Sequence, residues 1–259
     1  MSHPISLTFL GTGTSQGIPV VGSKHPVCLS NDPRDKRLRV SILLQWGQTN
    51  VVVDCGPDFR QQMLTSGIDR LDAVLMTHEH NDHMAGLDDV RPFNFIQKEA
   101  IPLYGTKRTI EAVKTRFPYI FDQVNKYPGA PSIATQIINP YVPFDLMNKH
   151  ITPIEAMHGN LPIIGFKIDN MAYMTDVKTL AQRAKDALSD LDLLVLSALR
   201  LEPHRMHLNL EEALNLIQEL RPKRTYLTHI SHLMGFHDEV TKKLPHGVYL
   251  AHDQLKIQL

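Results

Sequence analysis

The sequence predicts an α/β (α+β) fold in which two sheets are layered with helices outside, all in one domain over residues 1–259. Three observations predict it: many short apolar runs of strand length, helical periods set between strands later in the chain, and no repeat, low-complexity tract or linker to divide it. The 42% hydrophobic and 21% charged residues describe a chain with a real core. Lysine plus arginine and aspartate plus glutamate balance at 27 each, so no global basic field draws in nucleic acid, and such a partner is not expected. Only Cys28 and Cys55 are present, which argues against a disulfide framework and fits a reducing compartment. Met1-Ser2-His3-Pro4 runs into a strand-like segment with no leader pattern, and no apolar stretch reaches the roughly 18 residues of a membrane span. A cytoplasmic protein with no membrane partner is the expectation.

Taken in order, residues 5–10 read as a strand and Gly11-Thr12-Gly13-Thr14-Ser15-Gln16-Gly17 as a glycine-rich loop. The loop lacks the Gly-Lys-Ser/Thr ending of a P-loop and the dinucleotide spacing, so it reads as a tight turn that lets backbone approach a neighbour. Residues 20–37 form an irregular arm carrying His25 and Cys28. Residues 40–44 and 51–54 flank Gly47-Gln48-Thr49-Asn50 as a hairpin, and residues 58–66 read as a helix with Gly67 just past its end. Residues 73–76 have the composition of a buried strand. Residues 86–91 read as a helical turn, and Thr106 caps a helix to about Arg116. The aromatic- and proline-rich residues 117–131 are either an insertion over the site or a surface excursion, and their apolar side chains suggest a homodimer. Strands follow at 135–138, 151–157, 163–168 and 171–174, then a helix at 178–188, a strand at 193–196, a helix at 210–220 and a strand at 225–227. Residues 248–259 close with two short strands.

The chemistry concentrates in Thr77-His78-Glu79-His80-Asn81-Asp82-His83, directly after the 73–76 run. With that run extended, His78 and His80 point the same way, and Asp82 and His83 follow where the chain can turn into a helix. One cluster of this kind can hold two divalent ions side by side. Three other apolar runs end in an ionisable residue: His158, Asp176 and His229. The candidate metal ligands are therefore His78, His80, Asp82, His83, His158, Asp176 and His229. Imidazoles suit zinc, iron and manganese, and carboxylates admit harder ions, so the donor set does not single out one metal. Two divalent ions with Asp82, Asp176 and a hydroxide carry a net charge of about +1, which favours an anionic substrate such as a phosphodiester. The leaving oxygen needs a proton, and His207, on the loop ahead of the 210–220 helix, is the candidate acid. Asp82 is counted with it as catalytic. Asp54 is expected to orient a ligand histidine. His204 and Arg91 are further candidates for contacting substrate, whereas His3, His150, His237, His246 and His252 read as structural or exposed.

These residues resemble the metallo-β-lactamase-fold superfamily, whose His-Xaa-His-Xaa-Asp-His motif stands here as His78 to His83, with His158, Asp176 and His229 completing the ordered pattern. More narrowly, the chain resembles the PhnP-like phosphodiesterases, with tRNase Z more distant. That similarity rests on Leu10-Gly-Thr-Gly-Thr-Ser-Gln-Gly-Ile-Pro19, Asp54-Cys-Gly-Pro, Arg205-Met-His207-Leu-Asn-Leu and Leu227-Thr-His-Ile-Ser-His232. The resemblance implies a four-layer αββα sandwich with two ions, zinc or manganese, at the edge between the sheets. It assigns His78, His80 and His158 to one ion, Asp82, His83 and His229 to the other, and Asp176 to both. It places a catalytic histidine at His207. Di-iron redox members tend to carry Glu where this chain has His80, so hydrolysis is implied: attack of a metal-bridging hydroxide on a small or cyclic phosphodiester.

PhnP-like relatives also carry a cysteine-rich arm that holds a structural zinc with a late histidine, at positions matching Ser23, His25, Cys28 and His232. Two of those cysteines are Ser23 and His25 here. This leaves His25, Cys28 and His232 either as a zinc site completed by water or as the remnant of a lost one. An RNA 3′-processing nuclease and a thioesterase are the rival activities on the same fold, and a non-catalytic scaffold is the rival of another class. A tRNA nuclease of this fold adds a protruding basic arm that this sequence lacks, and β-lactam hydrolysis would call for an export signal. A scaffold tends to lose ligands, and all seven are present.

Overall fold

Among the described residues, fourteen strands, numbered β1 to β14 along the chain, form two seven-stranded mixed sheets in a computed structural model. The structure describes residues 4–122, 124 and 127–259. His3 and part of the expected 117–131 insertion lie outside them. The α/β class expected from the sequence is the one observed, as two mixed sheets with helices between strands. No helix of the described residues is long and apolar enough to cross a membrane. The chain divides into two compact units, one comprising the residues up to Leu10, Ser41–Asn139 and Lys256–Leu259, the other Gly11–Val40 and Pro140–Leu255.

The first unit carries β1 (Ser6–Gly11), β2 (Ser41–Trp46), β3 (Thr49–Val53), β4 (Ala73–Leu75), β5 (Ile101–Gly105), β6 (Ile133–Ile137) and β14 (Lys256–Gln258), in the order β14-β1-β2-β3-β4-β5-β6. Strands β3 to β6 run parallel, so their carboxyl ends share one edge. Val51, Val52, Val53, Ala73, Val74 and Leu75 are all fully buried, as strands covered on both faces require. The Lys107–Arg116 helix is capped by Thr106, whose side chain accepts from Thr109 N, and it buries Ile110 and Val113 in the core with Ile101 and Leu103. Among the elements that escape the sequence are a helix and a strand. The turn expected at 86–91 is a 3₁₀ turn, Leu87–Val90, that continues as the helix Arg91–Gln97. Pro92 reads as a breaker but occupies the first helical turn, where its missing N–H costs nothing. Strand β5 is hidden by Pro102 and the glycine at its end.

The second unit carries β7 (Phe144–Leu146), β8 (Lys149–His158), β9 (Leu161–Ile168), β10 (Met171–Met174), β11 (Leu193–Ser197), β12 (Arg224–Thr228) and β13 (Val248–Leu250), in the order β13-β12-β11-β10-β9-β8-β7. Strands β10 to β13 are parallel, and β9 is antiparallel to both β10 and β8. The ends of β8, β10, β11 and β12 therefore emerge at one edge. The Leu210–Leu220 helix begins with a capping box between Asn209 and Glu212 and buries Ala213, Ile217 and Leu220. The helix expected at 178–188 is confined to Gln182–Ala187. Lys178 N and Thr179 N instead donate to Met157 O, at 2.7 and 3.1 Å, which draws that stretch alongside β8.

The glycine-rich loop is the close backbone approach its composition suggests. Gly13 N donates to Leu38 O at 2.8 Å, Val40 N to Gly13 O at 2.9 Å, and a Cβ on Gly13 would sit 3.0 Å from two carbonyl oxygens. Beneath it lies Arg37, a buried guanidinium that donates to Thr12 Oγ1 at 2.7 Å, Ala251 O at 2.5 Å and His237 Nδ1 at 3.2 Å. Burial lowers Arg37 to about 10, which leaves it charged at neutral pH. A permanent donor aimed at Nδ1 keeps that nitrogen unprotonated, and burial, with Arg37 second, holds His237 down at about 4. The unfolded ring, near 6.5, takes a proton that the folded ring refuses, so stability is lost as pH falls from about 6.5 towards 4. Urea unfolding across that window should show a falling midpoint for the parent and a smaller fall for His237→Asn.

Candidate metal centre

The first unit's donors are organised by Asp54. It follows β3, is fully buried and adopts a left-handed backbone at φ 63. Thr77 N donates to Asp54 Oδ1 at 2.8 Å and Thr77 Oγ1 to Oδ2 at 2.8 Å, while His83 Nδ1 lies 2.7 Å from Oδ2. Burial raises the Asp54 carboxyl above its ordinary value, opposed by His83 and the two Thr77 donors. With His83 Nδ1 protonated towards this carboxylate, Nε2 is the nitrogen that could hold a metal, and it lies 3.4 Å from Asp82 Oδ2. Thr77 Oγ1 has given its proton to Asp54, so at 3.0 Å it accepts from His78 Nδ1 and sets the same tautomer there. The His78 ring lies 4.7 Å from that of His80 and 4.1 Å from that of His83. Imidazoles this close cannot all be protonated, which favours the neutral, ligating form. The loop is zipped to the Asp54-Cys55-Gly56 segment, with Cys55 N donating to His83 O at 2.8 Å. Only glycine fits at position 56, because a Cβ there would lie 1.9 Å from Asp82 O.

In the second unit, His158 closes β8, Asp176 lies just past β10, and His229 directly follows β12. Parallel strand direction thus delivers all three to one edge. His158 Nδ1 donates to Met206 O at 2.9 Å, which again leaves Nε2 to coordinate. Asp176 Oδ2 accepts from Thr175 Oγ1 at 2.6 Å, and Oδ1 lies 3.1 Å from His229 Nε2 and 3.6 Å from His207 Nδ1. Ligand atoms of His158, Asp176 and His207 lie within 4.8 Å of one another. The buried His207 ring is 4.4 Å from that of His158 and 4.9 Å from that of His229. Burial, reinforced by His229 and opposed by Asp176, lowers His207 to about 3. His204 lies 5.1 Å from His207, ring to ring, at a cavity of about 560 Å³ lined by Gly159, Asn160, Arg200, Arg205 and Met206 among others.

The donor chemistry of both sets fits divalent ions: His78 and His83 in one and His158 in the other are buried imidazoles with Nδ1 committed to an oxygen, Asp176 accepts from Thr175, and His80 is exposed. Two expected contributors are not brought in. Arg91 Nη1 pairs with Asp88 at 3.5 Å at the start of its helix. The rings of His25 and His232 approach to 4.9 Å, but His25 Nδ1 accepts from Val27 N at 3.3 Å and Cys28 Sγ from Val20 N at 3.5 Å. Among the described residues, no three-ligand group forms there. Sequence reasoning missed the threonines. Thr77, Thr175 and Thr228 each immediately precede a ligand at a strand end, and that repeated pair was the available signal.

Residues 49–230 match the beta-lactamase superfamily domain. A protein named octanoyltransferase from Porphyromonas gingivalis is 39% identical over 249 residues, which are 95% of this chain and 50% of that protein. A ribonuclease Z from a Bradyrhizobium strain is 32% identical over 111 residues, 41% of this chain and 32% of that protein. The chain thus spans half the length or less of these curated relatives. The crystal structure of a diphosphatase from the PhnP family superimposes with a TM-score of 0.93 at 38% identity, covering 100% of this chain and 98% of that one.

Asparagine accepts the left-handed backbone at position 54 but cannot offer His83 a carboxylate. Asp54→Asn should weaken divalent-metal affinity about 10- to 100-fold, measured by competition with a chromogenic chelator.

Proposed function

Because the chain belongs to the beta-lactamase superfamily, we propose that it is a dinuclear metal-dependent hydrolase that cleaves a small or cyclic phosphodiester. The observation that carries this reading is the common state of His78, His83 and His158, each with Nδ1 committed to an oxygen and Nε2 left to coordinate. All seven candidate ligands fall within the matched residues. In this reading His78, His80 and His158 hold one ion, Asp82, His83 and His229 hold the other, and Asp176 serves both. Zinc and manganese are the ions the donor set suits. Two such ions supply Lewis acidity and a nucleophile near neutral pH.

The remaining work belongs to the chain's own side chains. Asp54 and Thr77 fix the tautomers of His83 and His78, and the Met206 carbonyl fixes that of His158, so the donors face the ions without reorganising. Asp82 acts at the reacting centre as a ligand. His207 delivers the proton to the leaving oxygen. Burial keeps its ring neutral in the bare pocket, and the negative charge of a bound phosphate beside it favours the protonated form that the step needs. Two arginines, Arg200 and Arg205, at the adjoining cavity favour an anion over a neutral lactam or ester. The similarity to a PhnP-family diphosphatase supports phosphoryl chemistry. The octanoyltransferase similarity brings in a second reading, action on an acyl thioester. Both cysteines are buried, and burial pushes the Cys55 thiol well above its usual range, so a route through a cysteine acyl-enzyme has no ready nucleophile.

The test is turnover by Zn²⁺- and Mn²⁺-loaded protein of bis-p-nitrophenyl phosphate, an alkyl p-nitrophenyl diester, an octanoyl thioester and a dinucleotide. Diester cleavage that is abolished in Asp176→Ala is the expected result. His207→Ala should lose roughly 10²–10⁴-fold when an alkoxide must leave, and far less when nitrophenolate leaves, because only the alkoxide needs an acid. Thioester turnover without diester turnover would replace the substrate class.

A further inference from the structure

Resting on the metal-centre reading above, we propose that Arg108 and Arg116 are positioning residues that hold the ligand loop in register through the two residues lying between its ligands. The loop alternates His78, Glu79, His80, Asn81, Asp82. Glu79 and Asn81, which carry no ligand role, are each held by one arginine of the Lys107–Arg116 helix. Arg108 Nε lies 3.1 Å from Glu79 Oε1, and Arg116 Nη2 donates to Asn81 Oδ1 at 2.5 Å. Eight helical residues set the two arginines roughly 12 Å apart along the axis and about 80° apart around it, and their long side chains converge on positions only two residues apart.

The origin of both side chains is rigid. Thr106 caps the helix, and Ile110 and Val113 anchor it in the core. The receiving end is held on its other side by the 54–56 segment, where Cys55 N donates to His83 O at 2.8 Å. His80 is the N-cap of the short Asn81–Met84 turn but makes no side-chain capping bond, so Arg116 pins the first residue of the turn that presents Asp82 and His83. The Arg108–Glu79 pair is part-exposed, with side chains 40% and 20% accessible, and pairs of this kind add little to global stability. Their effect belongs to the geometry of the donors.

The decisive measurement is divalent-metal affinity by chelator competition, with the melting temperature of the metal-free protein as the second readout. Arg108→Ala with Arg116→Ala should bind metal about tenfold more weakly while the metal-free melting temperature holds within about 2 °C. Arg108→Lys, which keeps a cation at Glu79, should recover most of the affinity lost in Arg108→Ala. Lys107→Ala, which removes the exposed Lys107–Glu111 pair of the same helix, should change neither readout. The Asn81→Ala/Arg116→Ala double variant should bind metal no more weakly than Arg116→Ala alone, the sign of one shared contact. This cycle serves if the double arginine variant fails to fold. Unchanged affinity in the arginine variants, additive losses in the cycle, or a loss of affinity that tracks a fall in metal-free melting temperature would overturn the proposal. A parent that binds no metal would overturn the metal-centre reading itself, and the positioning role with it.

Discussion

The first unit's ligand loop depends on one buried carboxylate. Asp54 sits where water cannot reach it, and an ionised carboxylate there is tolerable only if its oxygens are satisfied. Three donors satisfy them: Thr77 N, Thr77 Oγ1 and His83 Nδ1. Dependence runs both ways. The loop needs Asp54 to set its tautomers, and Asp54 needs the loop to be stable as an anion. The left-handed backbone at position 54, which costs a non-glycine residue about 1–3 kcal/mol, persists because this mutual satisfaction over-determines it.

The second unit reaches a comparable end by strand direction. Strands β8, β10, β11 and β12 all point their carboxyl ends to one edge, so His158, Asp176 and His229 are delivered by topology rather than by local sequence. Local contacts then refine them. Thr175 holds one oxygen of Asp176, and the Met206 carbonyl holds His158. That carbonyl belongs to the residue before His207, so the tautomer of His158 and the placement of the proposed proton donor are set by one stretch of backbone. Burial of His207 among imidazoles disfavours its charge.

Much of this was legible in the sequence, for a physical reason. A buried strand contains a short apolar run, and a functional edge makes such runs end in His or Asp, so β4, β8, β10 and β12 announce both themselves and their candidate ligands. The amphipathic 210–220 helix was equally plain, since its period and its Asn209–Glu212 cap are local. What the sequence conceals is set by distant partners. The 182–187 helix is short because Lys178 and Thr179 are hydrogen-bonded to β8, and no window of residues around them reports that. Pro92 and Pro102 read as breakers yet lie inside a helix and a strand. Arg37 sits in an arm without period, although it ties the glycine-rich loop to Ala251 and His237. Among the described residues, no three-ligand group forms at His25, Cys28 and His232, and His25 Nδ1 caps its own short helix.

Asp54, Asp176 and His229 share a backbone state, φ between 56 and 63, that side-chain-bearing residues rarely adopt. At each, glycine would relieve strain while abolishing the side chain that the site uses. In the proposed hydrolase, selection for catalysis and selection for stability therefore pull these positions apart. A descendant released from catalytic duty has a downhill route open to it, with glycine or asparagine accumulating at 54, 176 and 229 while the surrounding apolar runs stay intact. The three positions together would then act as a fossil record, separating lineages that still turn over substrate from those that keep only the shape.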